Sequence, residues 1–322
     1  MTIIQASIPL FFASLAIELV WTHRRGQPFS RLNDSIADVS CGVLSQLAGI
    51  FDKALTLGVF VWVAAHASVQ QWLPLIPAWP DRSALVSGEG ALGFAIDAPA
   101  LLSWAVTFFL VDLCYYWSHR MSHEVNLLWA GHVVHHQSEE YNLSVALRQA
   151  TIGKLFTWIF YLPLALIGVP WRLFVTCYGI NLIYQFILHT RAVGKLGAPI
   201  EGVMNTPSHH RVHHGVNPKY QDRNYAGVFI VFDKWFGTFE VEDDAEPVVY
   251  GTTKPLESWN PVAANLQVFR YLWQDLKKVS RWSDRVRLVF GRPGWRPAEL
   301  GGPIMPSAVS VHSVQKFDPP VP

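Results

Sequence analysis

Charge is what this sequence has least of. Asp, Glu, Lys and Arg supply only 15% of its 322 residues, while 51% are apolar. Ordinary soluble domains carry roughly 25% charged residues, so an intrinsically disordered chain or a charge-laced coiled coil is excluded. The two signs nearly cancel, at 25 basic against 24 acidic side chains. No net field draws in a polyanion, and nucleic acid is not an expected partner. Cysteine is scarce as well. Cys41, Cys114 and Cys177 are odd in number, far apart, and each sits in an apolar stretch. That spacing excludes a disulfide framework or a thiolate zinc site and leaves three small apolar side chains.

Apolar runs, by contrast, are abundant. A bilayer crossing takes about 20 mostly apolar residues, and runs approaching or reaching that length cover about 3–21, 41–65, 98–117, 152–168 and 171–188. The first lacks a basic leader and a small-residue cleavage site, so it reads as an anchor. Asp52 and Lys53 interrupt the second, as a kink, a buried pair or a break within what we count as one span. Val169-Pro170 separates the last two, a helical hairpin that crosses twice or dips in and returns. Basic residues follow the first, third and fifth runs: Arg24, Arg25 and Arg31, then Arg120, Arg148 and Lys154, then Arg191 and Lys195. The stretch between the second and third runs has Arg82 against Asp81, Glu89 and Asp97. The positive-inside rule therefore sets the basic loops and the C-terminal half in the cytoplasm. The expected fold is an all-α integral membrane protein, with about four to five membrane helices and a cytosolic helical cap.

Histidine is the other excess, with 13 residues. His119 and His123 stand at i, i+4; His132, His135 and His136 at i, i+3, i+4; and His210, His213 and His214 repeat that second spacing. His209 precedes the last cluster, at the margin of its helical face, and His189 stands alone after the fifth run. Residues one helical turn apart project neighbouring side chains, so their ring nitrogens can meet on one ion. Neutral imidazole suits iron, zinc, copper and nickel. A structural zinc site takes four ligands and a catalytic one about three, so nine histidines imply two metals. His23, His66 and His312 read as interfacial or surface residues.

Polar stripes accompany the clusters. Asp112, Tyr116, His119 and His123 run down one face of the third span; Asn181, Gln185 and His189 do so on the fifth. Polar side chains in a membrane helix usually face the bundle interior. Metal-bound histidines commonly donate their second N–H to a carboxylate, for which Asp112, Glu124, Glu139, Glu140, Asp222 and Asp233 are candidates. Farther on, Leu266, Phe269, Leu272, Trp273, Leu276 and Val279 recur at helical spacing among Arg270, Lys277, Lys278, Arg281, Arg285 and Arg287. That segment suits a helix lying on an anionic membrane, or one packed on the protein's own cytosolic face.

The ordered set H-x-x-x-H, H-x-x-H-H and H-x-x-H-H resembles the fatty acid hydroxylase and sterol desaturase superfamily. Two stretches resemble its alkylglycerol monooxygenase branch in particular: residues 119–149, from His119-Arg-Met-Ser-His123-Glu124 to Arg148-Gln149, and Asn205 to Gly215 with Asn224-Tyr-Ala-Gly and Asp233 to Phe239. The resemblance implies a non-haem centre of two iron ions, with zinc an alternative in a purified form. The implied ligands are His119, His123, His132, His135, His136, His189, His210, His213 and His214. It further implies O2-dependent hydroxylation of a C–H bond in an ether lipid, sterol or fatty acid, fed by an external electron donor such as tetrahydrobiopterin. Glu124 matches a glutamate the family needs for activity, and Asp112 is the second carboxylate expected to serve catalysis. Other uses of the same histidines are a desaturase, or a non-enzymatic membrane protein that holds zinc. On this reading 1–250 is the membrane-embedded catalytic domain, 251–290 an amphipathic cytosolic segment, and 291–322 a disordered Pro/Gly-rich tail.

Overall fold

The computed structural model describes residues 3–26, 31–72, 86–87, 95–96 and 98–304. The loop charges Asp81, Arg82, Glu89 and Asp97 lie outside the described residues, as does 305–322 with His312. Apart from a two-residue antiparallel pair, β1 (Val86–Ser87) with β2 (Ala95–Ile96), the described regular structure is helical.

Three described helices are long and apolar enough to cross a membrane: α1 (Ile3–Arg24), α2 (Leu32–His66) and, after the single turn α3 (Val69–Trp72), α4 (Ala98–Glu124). Their surfaces are inverted relative to a soluble helix. Leu10, Phe12 and Ile17 of α1 and Leu47, Ile50 and Phe51 of α2 are exposed, while Glu18, Asp34, Asp38, Ser45 and Asp52 are buried. Such a pattern is unfavourable in water and natural where lipid is the solvent. At about 1.5 Å per residue, α2 is roughly 52 Å long, well beyond the roughly 30 Å of hydrocarbon. It runs unbroken through Asp52 and Lys53.

The fourth and fifth apolar runs differ from expectation. Following α5 (Asn126–His136), the stretch 154–166 breaks into α6 (Lys154–Thr157), a 3-10 turn at Trp158–Tyr161, and α7 (Leu162–Leu166). Pro163 has no N–H to give to a continuing helix, so it begins a new one. Gly168, at φ 80°, then turns the chain into α8 (Trp171–Phe186). Three described helices thus have spanning length; 154–186 forms a broken hairpin packed on α2 and α4 through Phe60, Val111, Leu164 and Cys177.

The C-terminal half contributes α9 (Ala198–Val203), α10 (Pro207–His213), α11 (Val231–Trp235), α12 (Pro261–Lys278) and α13 (Trp282–Phe290). Asn260 caps α12 by accepting from the Val262 and Ala263 amides, with Pro261 at the first helical position. Of the two settings open to this amphipathic segment, α12 takes the protein's own surface: Ala264 packs with Cys41 of α2 and Val134 of α5. The expected disorder beyond residue 291 does not hold for 291–304. Arg296 clamps Asp275 at 2.8 and 3.0 Å, and Trp295 and Leu300 pack on Leu272, Val279 and Leu288. One Trp, one Leu and one Arg give this Gly/Pro-rich stretch enough to bury.

Candidate metal centre

Four segments bring their histidines to one place. His119 and His123 come from the end of α4, His132, His135 and His136 from α5, His189 from the turn after α8, and His210, His213 and His214 from α10 and its C-cap. They form two groups. His119, His123, His132, His136 and His213 make the first; His135, His189, His210 and His214 make the second. Within each group one ring nitrogen from every histidine lies within 4.8 Å of those of the others. Each H-x-x-H-H motif is divided between the groups, because successive positions on a helix point in different directions. His132 and His136 serve one group and His135 the other, whereas His210 and His214 join His135, and His213 crosses to His136. The groups abut, with the His136 and His214 rings stacked at 4.4 Å. Between the histidines of α10, Arg211 is held by Glu242 through two 2.7 Å bonds and donates to the Thr190 and Val193 carbonyls.

The protonation pattern can be read from the outer bonds. His119 Nδ1 donates to the Tyr225 carbonyl at 2.8 Å, His135 Nδ1 to Arg148 at 3.0 Å, His189 Nδ1 to Gln185 at 2.8 Å, and His213 Nδ1 to Arg223 at 2.9 Å. A carbonyl only accepts, so Nδ1 carries the proton and Nε2 presents a lone pair. Yet the Nε2 atoms of His135 and His189 face each other at 3.2 Å. Two lone pairs at that distance repel unless a cation lies beside them. Nor do added protons resolve the clash. Burial pushes the His135 imidazolium down to about 4 and holds those of His189, His210 and His214 well below the ordinary value, with neighbouring imidazoles adding to it. The Nε2 atoms of His123, His213 and His214 are likewise buried without a protein partner. Two nitrogens about 2.1 Å from a shared ion lie roughly 3–4 Å apart, which is the spacing present. The donor set of neutral imidazoles, free of thiolates, fits a first-row transition metal.

Residues 104–238, which contain all nine of these histidines, match the fatty acid hydroxylase family. Residues 104–238 thus carry a fatty acid hydroxylase domain. It is 38% identical over 298 residues to the alkylglycerol monooxygenases of Homo sapiens and Danio rerio, covering 92% of this chain and 60% of each relative. It is 24% identical over 235 residues to the ornithine lipid hydroxylase OlsE of Rhizobium tropici, covering 73% of this chain and 64% of that one. The chain therefore spans about 60% of the length of its vertebrate relatives. No solved structure gives a significant match.

In this fatty acid hydroxylase domain the two polar stripes zip together. Asp112 of α4 accepts from Asn181 Nδ2 of α8 at 2.7 Å, Gln185 Nε2 donates to Asn181 Oδ1, and His189 bonds back to the Gln185 carbonyl. Asp112 does not reach a histidine ring; it takes the Val228 and Phe229 amides at 2.9 and 2.7 Å. Gly227 is required beside it, since a Cβ there would stand 2.5 Å from Asp112 Oδ1. Glu124 accepts from Arg120 at 2.9 Å and lies 3.8 Å from Arg292. Glu139 and Glu140 pair with Arg31 and Arg191, and Asp233 takes the Tyr225 and Ala226 amides. Of the six carboxylates expected behind the ligands, only Asp222 nears one, at 3.6 Å from His123 Nδ1. Backbone carbonyls fill the role instead: those of Arg148, Arg223 and Tyr225 come from irregular loops, and that of Gln185 from the last turn of α8. His209 belongs to neither group; its ring packs on Phe239. The anchors Arg148 and Arg223 escape sequence reasoning, since any residue type carries a carbonyl; only the position of Arg148 in the matching motif hints at it.

Proposed function

We propose that this chain is an O2-dependent lipid monooxygenase whose two histidine groups hold two iron ions. The first substrates to test are alkyl ether lipids, the class that its vertebrate relatives' name describes. The observation that carries the reading is the opposed pair of lone pairs on His135 and His189, 3.2 Å apart with both Nδ1 protons committed to carbonyls. Zinc satisfies the same donors, and iron is favoured by the chemistry of the family. Two irons so held supply the activation of O2 and the oxidation of an unreactive C–H bond, which side chains cannot.

The protein's own work is positioning and exclusion. Buried imidazoles kept neutral stay available as ligands, and their carbonyl partners hold each ring in one orientation. The apolar outer faces of α1, α2 and α4 let a lipid tail approach the buried centre from the bilayer. Multi-pass insertion through these helices, with the hairpin 154–186 entering alongside, sets the centre at the cytoplasmic face, where the basic loops lie. Glu124, held by Arg120 and Arg292 on the helix of His119 and His123, is assigned the handling of protons.

The reaction consumes one O2, two electrons and two protons, and yields a C–OH and a water. An external donor supplies the electrons, tetrahydrobiopterin being the candidate that the family resemblance brings. When the carbon adjoins an ether oxygen, the product is a hemiacetal. It splits to an aldehyde and a glycerol alcohol, its hydroxyl proton passing to the departing oxygen.

The test is anaerobic purification with metal analysis, then O2, reductant and a lipid panel with mass spectrometry of products. Two irons per chain and one added oxygen atom are expected. A zinc-filled chain that consumes no O2 after iron exchange overturns the proposal, and a product lacking two hydrogens reassigns the chain to desaturation.

A further inference from the structure

We infer that the tetrapeptide 222–225 is a cradle that orients the five-histidine group alone, and that Asn224 is the positioning residue that shapes it. The inference rests on the reading of two histidine-held ions. Three ligands of that group, drawn from two separate helices, turn their Nδ1 atoms to this one short segment. His119 meets the Tyr225 carbonyl at 2.8 Å, His213 the Arg223 carbonyl at 2.9 Å, and His123 the Asp222 carboxylate at 3.6 Å. The four-histidine group shares no such anchor: His189 bonds to Gln185, a turn back along the chain, and His135 to Arg148 in another loop.

Aiming three acceptors of one tetrapeptide into the same pocket requires a sharply curled backbone. Asp222 and Asn224 provide it, at φ 57° and 54°, in the left-handed region where Asn and Asp are the most tolerated non-glycine residues. Asn224 is fully buried, yet it touches no ligand ring. Its Nδ2 donates to the His209 carbonyl at 3.0 Å and to Glu240 at 2.7 Å, and its Oδ1 accepts from the Glu240 amide at 2.9 Å. Its side chain thus ties the cradle both to α10, which carries His210 and His213, and to Glu240 in the stretch after Thr238. Asp233 completes the hold by taking the next two amides, Tyr225 and Ala226, each at 2.8 Å. A buried amide with all these bonds and no contact to the centre has one use here, which is to hold the loop that holds the rings.

The experiment compares the wild-type chain with Asn224→Gly, Asp222→Gly and Asp222→Asn. Glycine at 224 keeps the left-handed backbone at no steric cost and removes only the side-chain bonds. Asp222, whose side chain is 52% exposed, can be changed without disturbing the core. Each purified chain is loaded with ⁵⁷Fe(II) alone and titrated with a chelator, reading retained iron and the two Mössbauer components. Asn224→Gly is expected to release one of its two ions about 10- to 100-fold more readily, with one spectral component altered and the other unchanged. Asp222→Gly should weaken the same ion by a smaller factor, and Asp222→Asn, which keeps an acceptor oxygen, should restore most of the loss. Should Asn224→Gly not fold, the Asp222 pair decides alone. Two ions in the wild type with unaltered or equally weakened retention in the variants overturns the cradle only. A wild type that takes up no iron overturns the two-ion reading with it.

Discussion

The membrane half and the histidine-bearing half of this protein bury opposite things. Helices α1 and α2 turn their large apolar side chains outward and bury a few carboxylates; α5 and α10 bury imidazoles. The carboxylates are not spent on the rings. Glu18 accepts from the Leu143 amide and the Thr190 hydroxyl, Asp34 from Ser138 and the Glu140 amide, and Asp38 pairs with Arg148 at 3.1 Å. Asp112 of α4 does the same for Val228 and Phe229. Membrane-helix carboxylates therefore hold the loops, and the loops' carbonyls hold the histidines. The charge that lipid would penalise is used where helix and loop meet, and the imidazoles need only neutral partners.

This division of labour can be broken at either level, with effects of different size. The largest should follow loss of a ring. His135→Ala or His213→Ala is expected to lower turnover by at least about a thousandfold and to release metal from its own group, measured by product formation and metal content. Next comes Arg148, which joins both levels: its guanidinium binds Asp38, the Val134 carbonyl and Gln137, while its carbonyl holds His135. Arg148→Met strands a buried carboxylate, so a loss of about 3–5 kcal/mol in stability is expected, together with a 10- to 100-fold fall in metal affinity. Thermal unfolding and chelator titration read the two effects separately.

Asp112→Asn keeps the shape but leaves one acceptor oxygen for the three donors Asn181, Val228 and Phe229, and turns an NH2 toward at least one of them; bonds to the charged carboxylate are worth about 1.5–3 kcal/mol each. About a tenfold drop in rate with normal membrane insertion is expected; an unchanged rate would remove Asp112 from the frame that supports the ligands. Glu124→Gln tests proton handling apart from metal holding. It should slow turnover several-fold while both ions stay bound, as seen by metal analysis beside steady-state rates. Smallest of all is His66→Ala, at an exposed ring bonded to its own helix at Trp62, where neither rate nor metal content should move.

Local pattern made much of this legible. Imidazoles at i, i+3 and i+4 must share a helical neighbourhood whatever the rest of the chain does, and the stripes of Asp112 and Asn181 point inward because lipid lies outside. A long apolar run likewise announces α1, α2 and α4. Where the pattern misled, a single residue's packing decided: Pro163 divided the fourth run, and Trp295 with Arg296 ordered a stretch whose Gly and Pro content suggested none.

By itself the sequence determined where imidazoles cluster and how apolar their surroundings are, because residue type and helical period are local properties. Only the tertiary structure decided which histidines are grouped together and what stands behind them. Partition between the groups depends on how α4, α5 and α10 cross, which no spacing within one helix specifies. The groups that orient the rings are backbone carbonyls, present at every residue and so invisible until the chain is folded.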